Sequence, residues 1–196
     1  MGRLSTFAIL STLAIVAAGC TSTPASRFYT LSADPTPAAT SSDLSVAVGP
    51  VSVPAVVDRP QMVVRVGPNQ VRLEEFNRWA SPLQNGIARA VAENLVAMLG
   101  TPRVTLSQQT VSTDSEYRAA IEVQRFESAP GEAATLEAVW TVSRTKDGGS
   151  RMGRTLAREA TPDRGFDSLA AAHSRAVARL SRDIADAVRG LARSGQ

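Results

Sequence analysis

Cys20 is the only thiol in the 196-residue chain. It follows Ala17-Ala18-Gly19, the end of a twelve-residue apolar run from Phe7 to Ala18 behind the basic Arg3. A short apolar core with a cationic start and small closing residues has the pattern of a secretory signal peptide. A lone cysteine directly after those small residues has the chemistry of a bacterial lipobox, in which the thiol receives a diacylglyceryl group before cleavage leaves Cys20 first. The run is too short for a membrane span, which needs about 20 apolar residues. With no second cysteine, an intrachain disulfide is excluded. A lipobox usually carries Leu three residues before its cysteine and this one carries Ala17, so a secretory signal without lipid is the alternative. Each buried acyl CH₂ is worth about 0.8 kcal/mol, and several chains on one cysteine anchor durably. Thr21 follows Cys20, where enteric bacteria place Asp to retain a lipoprotein in the inner membrane. The expected location is the outer membrane, facing the periplasm.

Other groups capable of chemistry are sparse. His173 is the only histidine, on the apolar stripe of a predicted helix. One histidine without a nearby cysteine cannot build a zinc site, and no Gly-x-Ser-x-Gly elbow exists to pair it with a nucleophile. A buried, hydrogen-bonded helix histidine is the expectation. Phosphate loops, paired cysteines and dinucleotide fingerprints are absent. Glu74 and Glu75 lack a partner set for acid–base work. No cofactor and no metal are expected.

Composition narrows the class further. The apolar fraction of 43% leans on alanine, aromatics are 5%, and the net charge is +3. Lys146 is the sole lysine among 21 basic residues, a skew that fits a GC-rich genome. The arginines alternate with acids, so no stripe for nucleic acid stands out.

The elements must hold these residues in place. Phe28 to Leu31 reads as a short strand, and Ser32 to Asp43 as a loop rich in Pro, Ala, Ser and Thr. Leu44 to Val53 alternates as a strand bent at Gly49-Pro50. Met62–Val66 and Val71–Leu73 flank a hairpin turn at Gly67-Pro68-Asn69-Gln70. Ser81-Pro82-Leu83-Gln84 predicts a helix start with Ser81 as cap and Gln84 closing a capping box. Leu83, Ile87, Val91, Leu95 and Met98 then share a face until Gly100. Strands follow at Arg103–Leu106, Tyr117–Phe126, Thr135–Arg144 and Arg151–Ala160, the last three as an antiparallel meander. A long helix from about Asp167 to Ala192 closes the chain, with Leu169, His173, Val177, Leu180, Ile184, Val188 and Leu191 on one stripe. This order predicts a single domain of α/β class, with α+β as the alternative, in which two helices pack on one mixed β-sheet.

Several stretches together resemble the ABC-type transport auxiliary lipoproteins, the family that includes the third subunit of the paraquat-inducible membrane-integrity system. They are Arg27-Phe28-Tyr29-Thr30-Leu31 shortly after the lipobox, Val46-Ala47-Val48-Gly49-Pro50-Val51, and Val53-Pro54-Ala55 leading into Asp58-Arg59-Pro60-Gln61-Met62-Val63. Asn77-Arg78-Trp79-Ala80-Ser81-Pro82-Leu83 and the run from Arg175 to Ala185 complete the set. Residues 103–160 match weakly, and Ala17 departs from the usual lipobox. The resemblance implies a non-enzymatic subunit of a lipid-transport system, similar in fold to the amino-terminal domain of TolB. Its implied partners are a periplasmic MCE-domain conduit, an inner-membrane permease and an ATPase, with the lipoprotein docking the conduit at the outer membrane. A symmetric conduit would favour a homo-oligomeric ring. The implied organisation is a signal over 1–19, a lipidated tether with a first strand and linker over 20–43, and the auxiliary lipoprotein domain over 44–196, its family region beginning near 28. The competing classes are an assembly or pilot lipoprotein for a barrel, lipopolysaccharide machinery or secretin, and an envelope hydrolase built on His173.

Beside Cys20 as the lipid-attachment residue, the candidate partner-binding residues are Pro54, Asp58, Arg59, Pro60 and Trp79. The two prolines make Val53–Pro60 a rigid loop or sheet edge, either a fixed contact surface or a plain turn between strands. Trp79, two residues before the helix cap, either anchors a partner or packs over the helix start. Trp140 is expected in the core. Arg175, Arg179, Arg182, Arg189 and Arg193 on the last helix, mixed with Asp183 and Asp186, read as a solvated face with local pairs or as a contact for anionic groups.

Overall fold

Residues 24–34, 40–107 and 115–194 are described in the computed structural model. The signal segment, Cys20 and residues 21–23 of the tether lie outside the described residues. The elements in chain order are β1 (Arg27–Tyr29), β2 (Val46–Ser52), β3 (Gln61–Gly67), β4 (Gln70–Trp79), α1 (Leu83–Leu99), β5 (Val104–Leu106), β6 (Tyr117–Ala129), β7 (Ala133–Arg144), β8 (Ser150–Ala160) and α2 (Phe166–Ser194). They form one mixed sheet with both helices packed on it, the single α/β domain the element order predicts.

β6 organises the sheet. One edge pairs antiparallel with β7 along its whole length. The other edge is shared, with β2 running parallel beside Tyr117–Glu122 and β3 touching it at Ser128. β8 extends β7, β4 extends β3, β1 caps part of β4, and the short β5 lies outside β2. Alternation decides which face is covered. Tyr117, Ala119, Ile121 and Val123 are buried while Arg118, Glu122 and Gln124 are exposed, the half-buried pattern of a sheet packed on one side. The register of β2 slips at Gly49-Pro50, where the bend is expected. Leu31 is fully buried with the rest of the core, so folding begins before residue 44.

The helices pack through their predicted stripes. Leu83, Ile87, Val91, Leu95 and Met98 of α1 are buried, as are Leu169, His173, Val177, Leu180, Ile184, Val188 and Leu191 of α2. The capping box is not formed: Pro82 holds the N-cap position, and no side chain caps the helix. The Pro82 carbonyl accepts the first N–H groups, from Asn85 and Gly86, so Ser81 sits one residue too early to bond the third turn position. Gly100 ends α1 with φ 65, the left-handed conformation glycine adopts without strain. A Cβ there would press on the Thr40 carbonyl.

Two buried polar links fix the layers. Between the helices, Asn94 Nδ2 donates to Ser181 Oγ at 3.2 Å, and Asn94 Oδ1 accepts the Asp34 N–H at 3.0 Å. Between sheet and α2, Trp140 Nε1 donates to Thr155 Oγ1 at 3.0 Å, and that hydroxyl donates to Asp183 Oδ2 at 2.6 Å. The Trp140 ring lies flat over Gly153, its register partner on β8, and leaves no room for a Cβ.

β4 is longer than its apolar residues predict. Only Val71–Leu73 reads as a strand in the sequence, yet pairing continues to Trp79. Glu74 and Glu75 break the alternation because three extra residues bulge out between Glu74 and Arg78.

Candidate docking surface

The loop from Val53 to Pro60 folds as a compact turn. The Pro54 carbonyl accepts the N–H groups of Val57 at 3.0 Å and Asp58 at 3.2 Å, and Arg59 N–H reaches the Val57 carbonyl at 2.9 Å. The Pro60 carbonyl then accepts the Trp79 N–H at 2.7 Å, tying the loop to the end of β4. Val57 is buried and pins the turn from beneath. Asp58 and Pro60 are exposed, while Pro54 and Arg59 are half-buried. Four of the predicted contact residues therefore sit together on a turn held by backbone bonds, a geometry that presents side chains without moving.

Trp79 joins this turn only through its backbone. Its side chain is 7% exposed and stands edge-on to Phe126 and His173, with ring centroids 6.0 Å away in each case. Aromatic pairs favour such edge contacts, and the ring packs against β6 and α2.

His173 is sealed in. Its ring stacks on Phe126 at 3.9 Å, and Nε2 hydrogen-bonds with Ser128 Oγ at 2.8 Å. Nδ1 is buried without a partner. Burial alone pushes the imidazole from its ordinary 6.5 to about 3, because a cation there would lose its hydration. A base with no route to solvent has no substrate to act on. Among the described residues, no group of three or more His, Cys, Asp or Glu could hold a metal. No helix there is long and apolar enough to cross a membrane.

The arginines of α2 divide their contacts. Arg175 pairs with Glu159 at 3.3 Å and donates to the Ala160 carbonyl at 2.8 Å. Arg179 faces Asp183 at 3.8 Å, and Arg189 pairs with Asp186 at 2.9 Å while also reaching the Met98 carbonyl. These links fasten α2 to β8 and α1, which fits local pairing. Arg182 and Arg193 are exposed.

A cleft of about 420 Å³ opens where β2 bends beside α1, lined by Val48, Val51, Leu106 and Ala88 with Gln84 and Arg89. Arg89 is engaged elsewhere, donating to the Leu31 carbonyl and pairing with Glu93. On the outer side of β3 and β4, a shallower hollow of about 200 Å³ is lined by Val56, Val57, Val63 and Val71. Exposed apolar residues gather around this second hollow, a feature that sequence periodicity did not reveal.

A profile of the family described as "ABC-type transport auxiliary lipoprotein component" matches residues 29–185, from β1 into α2. The chain belongs to this family. Auxiliary lipoproteins of this family are a transport component, not an enzyme class. Among solved structures, an uncharacterized protein aligns with a TM-score of 0.68 at 19% identity, over 83% of this chain and 98% of its own. A Xanthomonas campestris protein of family DUF330 aligns with a TM-score of 0.66 at 20% identity, over 87% and 99%. At such identities the likeness shows a shared fold. No curated protein matches the chain.

Proposed function

We propose that this auxiliary lipoprotein is the outer-membrane subunit of an MCE-type lipid transport system. Cys20 carries the lipid anchor, and the body docks the distal end of a periplasmic MCE-domain conduit. An inner-membrane permease and an ATPase complete the system, and a symmetric conduit favours a homo-oligomeric ring of this subunit. The observation that supports the reading most is the family match across nearly the whole folded body, in a chain that opens with a lipobox. Two further features fit it. The only histidine is walled off from solvent, and the turn carrying Pro54, Asp58, Arg59 and Pro60 is rigid and outward-facing.

The test is affinity capture of the tagged chain from native membranes in mild detergent. The expected result is recovery of an MCE-domain protein with the wild type and a reduced yield with Asp58→Lys, whose exposed position spares the fold. Recovery of a large β-barrel or a secretin ring, with no MCE-domain protein, would overturn the proposal in favour of an assembly role.

A further inference from the structure

Among the described residues, nine large apolar side chains are exposed, and six of them lie at the β1–β4 end of the sheet, with Val66 on the face of Val64. Pairing fixes which way they point. Leu73 stands opposite Val63, and Val71 opposite Arg65, on the face away from the fully buried Met62 and Val64. Phe28 stands opposite Arg78, whereas the neighbouring Tyr29 and Trp79 turn toward the core. Phe76 is also exposed, in the bulge between Glu74 and Arg78. Phe28, Leu73 and Val71 thus share the outer face, exposed Phe76 lies in the bulge between them, and Val56 joins from the loop beside Val63 and Val71. Phe28 is 62% exposed and Val71 51%, a concentration that marks an interaction site rather than scatter.

The path of the chain says what meets this stripe. β1 runs parallel to β4 and covers only Asn77–Trp79, so the chain arrives at Arg27 from the direction of the hairpin tip at Gln70. Cys20 lies seven residues before Arg27, a reach of at most about 24 Å. Gln70 lies seven residues before Asn77 along β4, less than the ~23 Å of a regular strand because residues between Glu74 and Arg78 bulge out. A bilayer holding Cys20 therefore stands within reach of the whole stripe. Arg72 pairs with Glu74 and Arg65 with Glu127 and Glu132, while Arg27, Glu75 and Arg78 show no ion pair among the described residues. The large exposed side chains on offer are apolar.

We infer that Phe28, Phe76, Leu73, Val71 and Val56 form the membrane-facing surface of the anchored protein, resting in the interfacial layer of the phospholipid bilayer that holds Cys20. The inference rests on the lipid-anchor reading above. Few side chains of this size would hold a free protein on lipid. The tether raises the local concentration enough that a weak contact is occupied.

The test uses the chain from Cys20 onward, with its single thiol coupled to a maleimide lipid in phosphatidylcholine vesicles, so that anchoring does not depend on acylation. Val71→Trp, and as control Val96→Trp on the solvent side of α1, are compared for quenching by brominated lipids. The expected result is quenching several-fold stronger at position 71, with a blue-shifted emission and the same strength in low and high salt. In the unsubstituted chain, coupling should also slow amide exchange across 70–76. Equal quenching at the two positions, or unchanged exchange at 70–76, would overturn the inference. So would protection of 70–76 that appears without vesicles as protein concentration rises, which would make the stripe a contact between copies. Intact mass of native material is read separately: a free Cys20 thiol would defeat the anchor reading alone, because the coupled vesicles still report on the surface.

Discussion

His173 folds as a neutral base, and replacing it with glutamine should remove one specific acid sensitivity from the protein. Its ring lies between Phe126, stacked at 3.9 Å, and Trp79, edge-on at 6.0 Å, and only Ser128 offers it a hydrogen bond. Burial holds its folded pKa at about 3, whereas an unfolded imidazole titrates near 6.5. Between those values the unfolded chain binds a proton that the folded chain refuses, so stability rises with pH across the window. The contribution is complete above about 6.5 and drains away as pH falls toward about 3, at about 1.4 kcal/mol per pH unit. The whole span comes to about 5 kcal/mol, comparable with the entire stability of many domains. Carboxylates titrate in the same range, so the informative quantity is the difference between wild type and His173→Gln. Glutamine can keep the bond to Ser128 but loses the stack on Phe126, so the variant should be weaker at pH 7. Urea unfolding from pH 7 to 4 should then show the gap narrowing by about 2 kcal/mol by pH 5. Parallel curves for the two proteins, or an imidazole that titrates near 6.5 in the folded state, would refute the reasoning.

Gly153→Ala drives a methyl group into the Trp140 ring, its register partner on β7, so ring or strand must shift. Overpacking of this kind costs about 1–3 kcal/mol, and thermal unfolding should begin several degrees lower with a changed near-ultraviolet signal from Trp140. Asn94→Ala removes the acceptor of the Asp34 N–H and the donor to Ser181 Oγ, which keeps its own bond to the Val177 carbonyl. Leaving such a group unpaired costs about 1–3 kcal/mol, so the urea midpoint should fall while Asn94→Gln or a surface change such as Arg182→Ala leaves it closer to wild type.

The helices were readable because burial repeats at helical spacing: every residue of the stripes named from the sequence, including His173, is in the core. The meander was readable for the same reason with a period of two. Strand order was not, because nothing in the alternation of β2 tells it to run parallel to β6 rather than beside β3. β4 hid its length since one edge over Gln70–Phe76 carries no strand among the described residues and its acids interrupt the pattern. Strand ends of this kind owe their conformation to a neighbour, not to their own side chains. Of the candidate site, the turn of Pro54, Asp58, Arg59 and Pro60 follows from its prolines. The inward turn of Trp79 depends on Phe126, 47 positions further along the chain, which no local pattern supplies. The apolar stripe escaped notice because it is defined by which face the helices leave bare. Cys20, on which the anchoring rests, lies outside the described residues.

The most direct measurement is the intact mass of the protein isolated from the membranes of its own cells. The account predicts a chain that begins at Cys20 and carries diacylglyceryl and fatty-acyl groups on that residue. A chain bearing a free thiol, cleaved elsewhere or recovered without lipid, would contradict it.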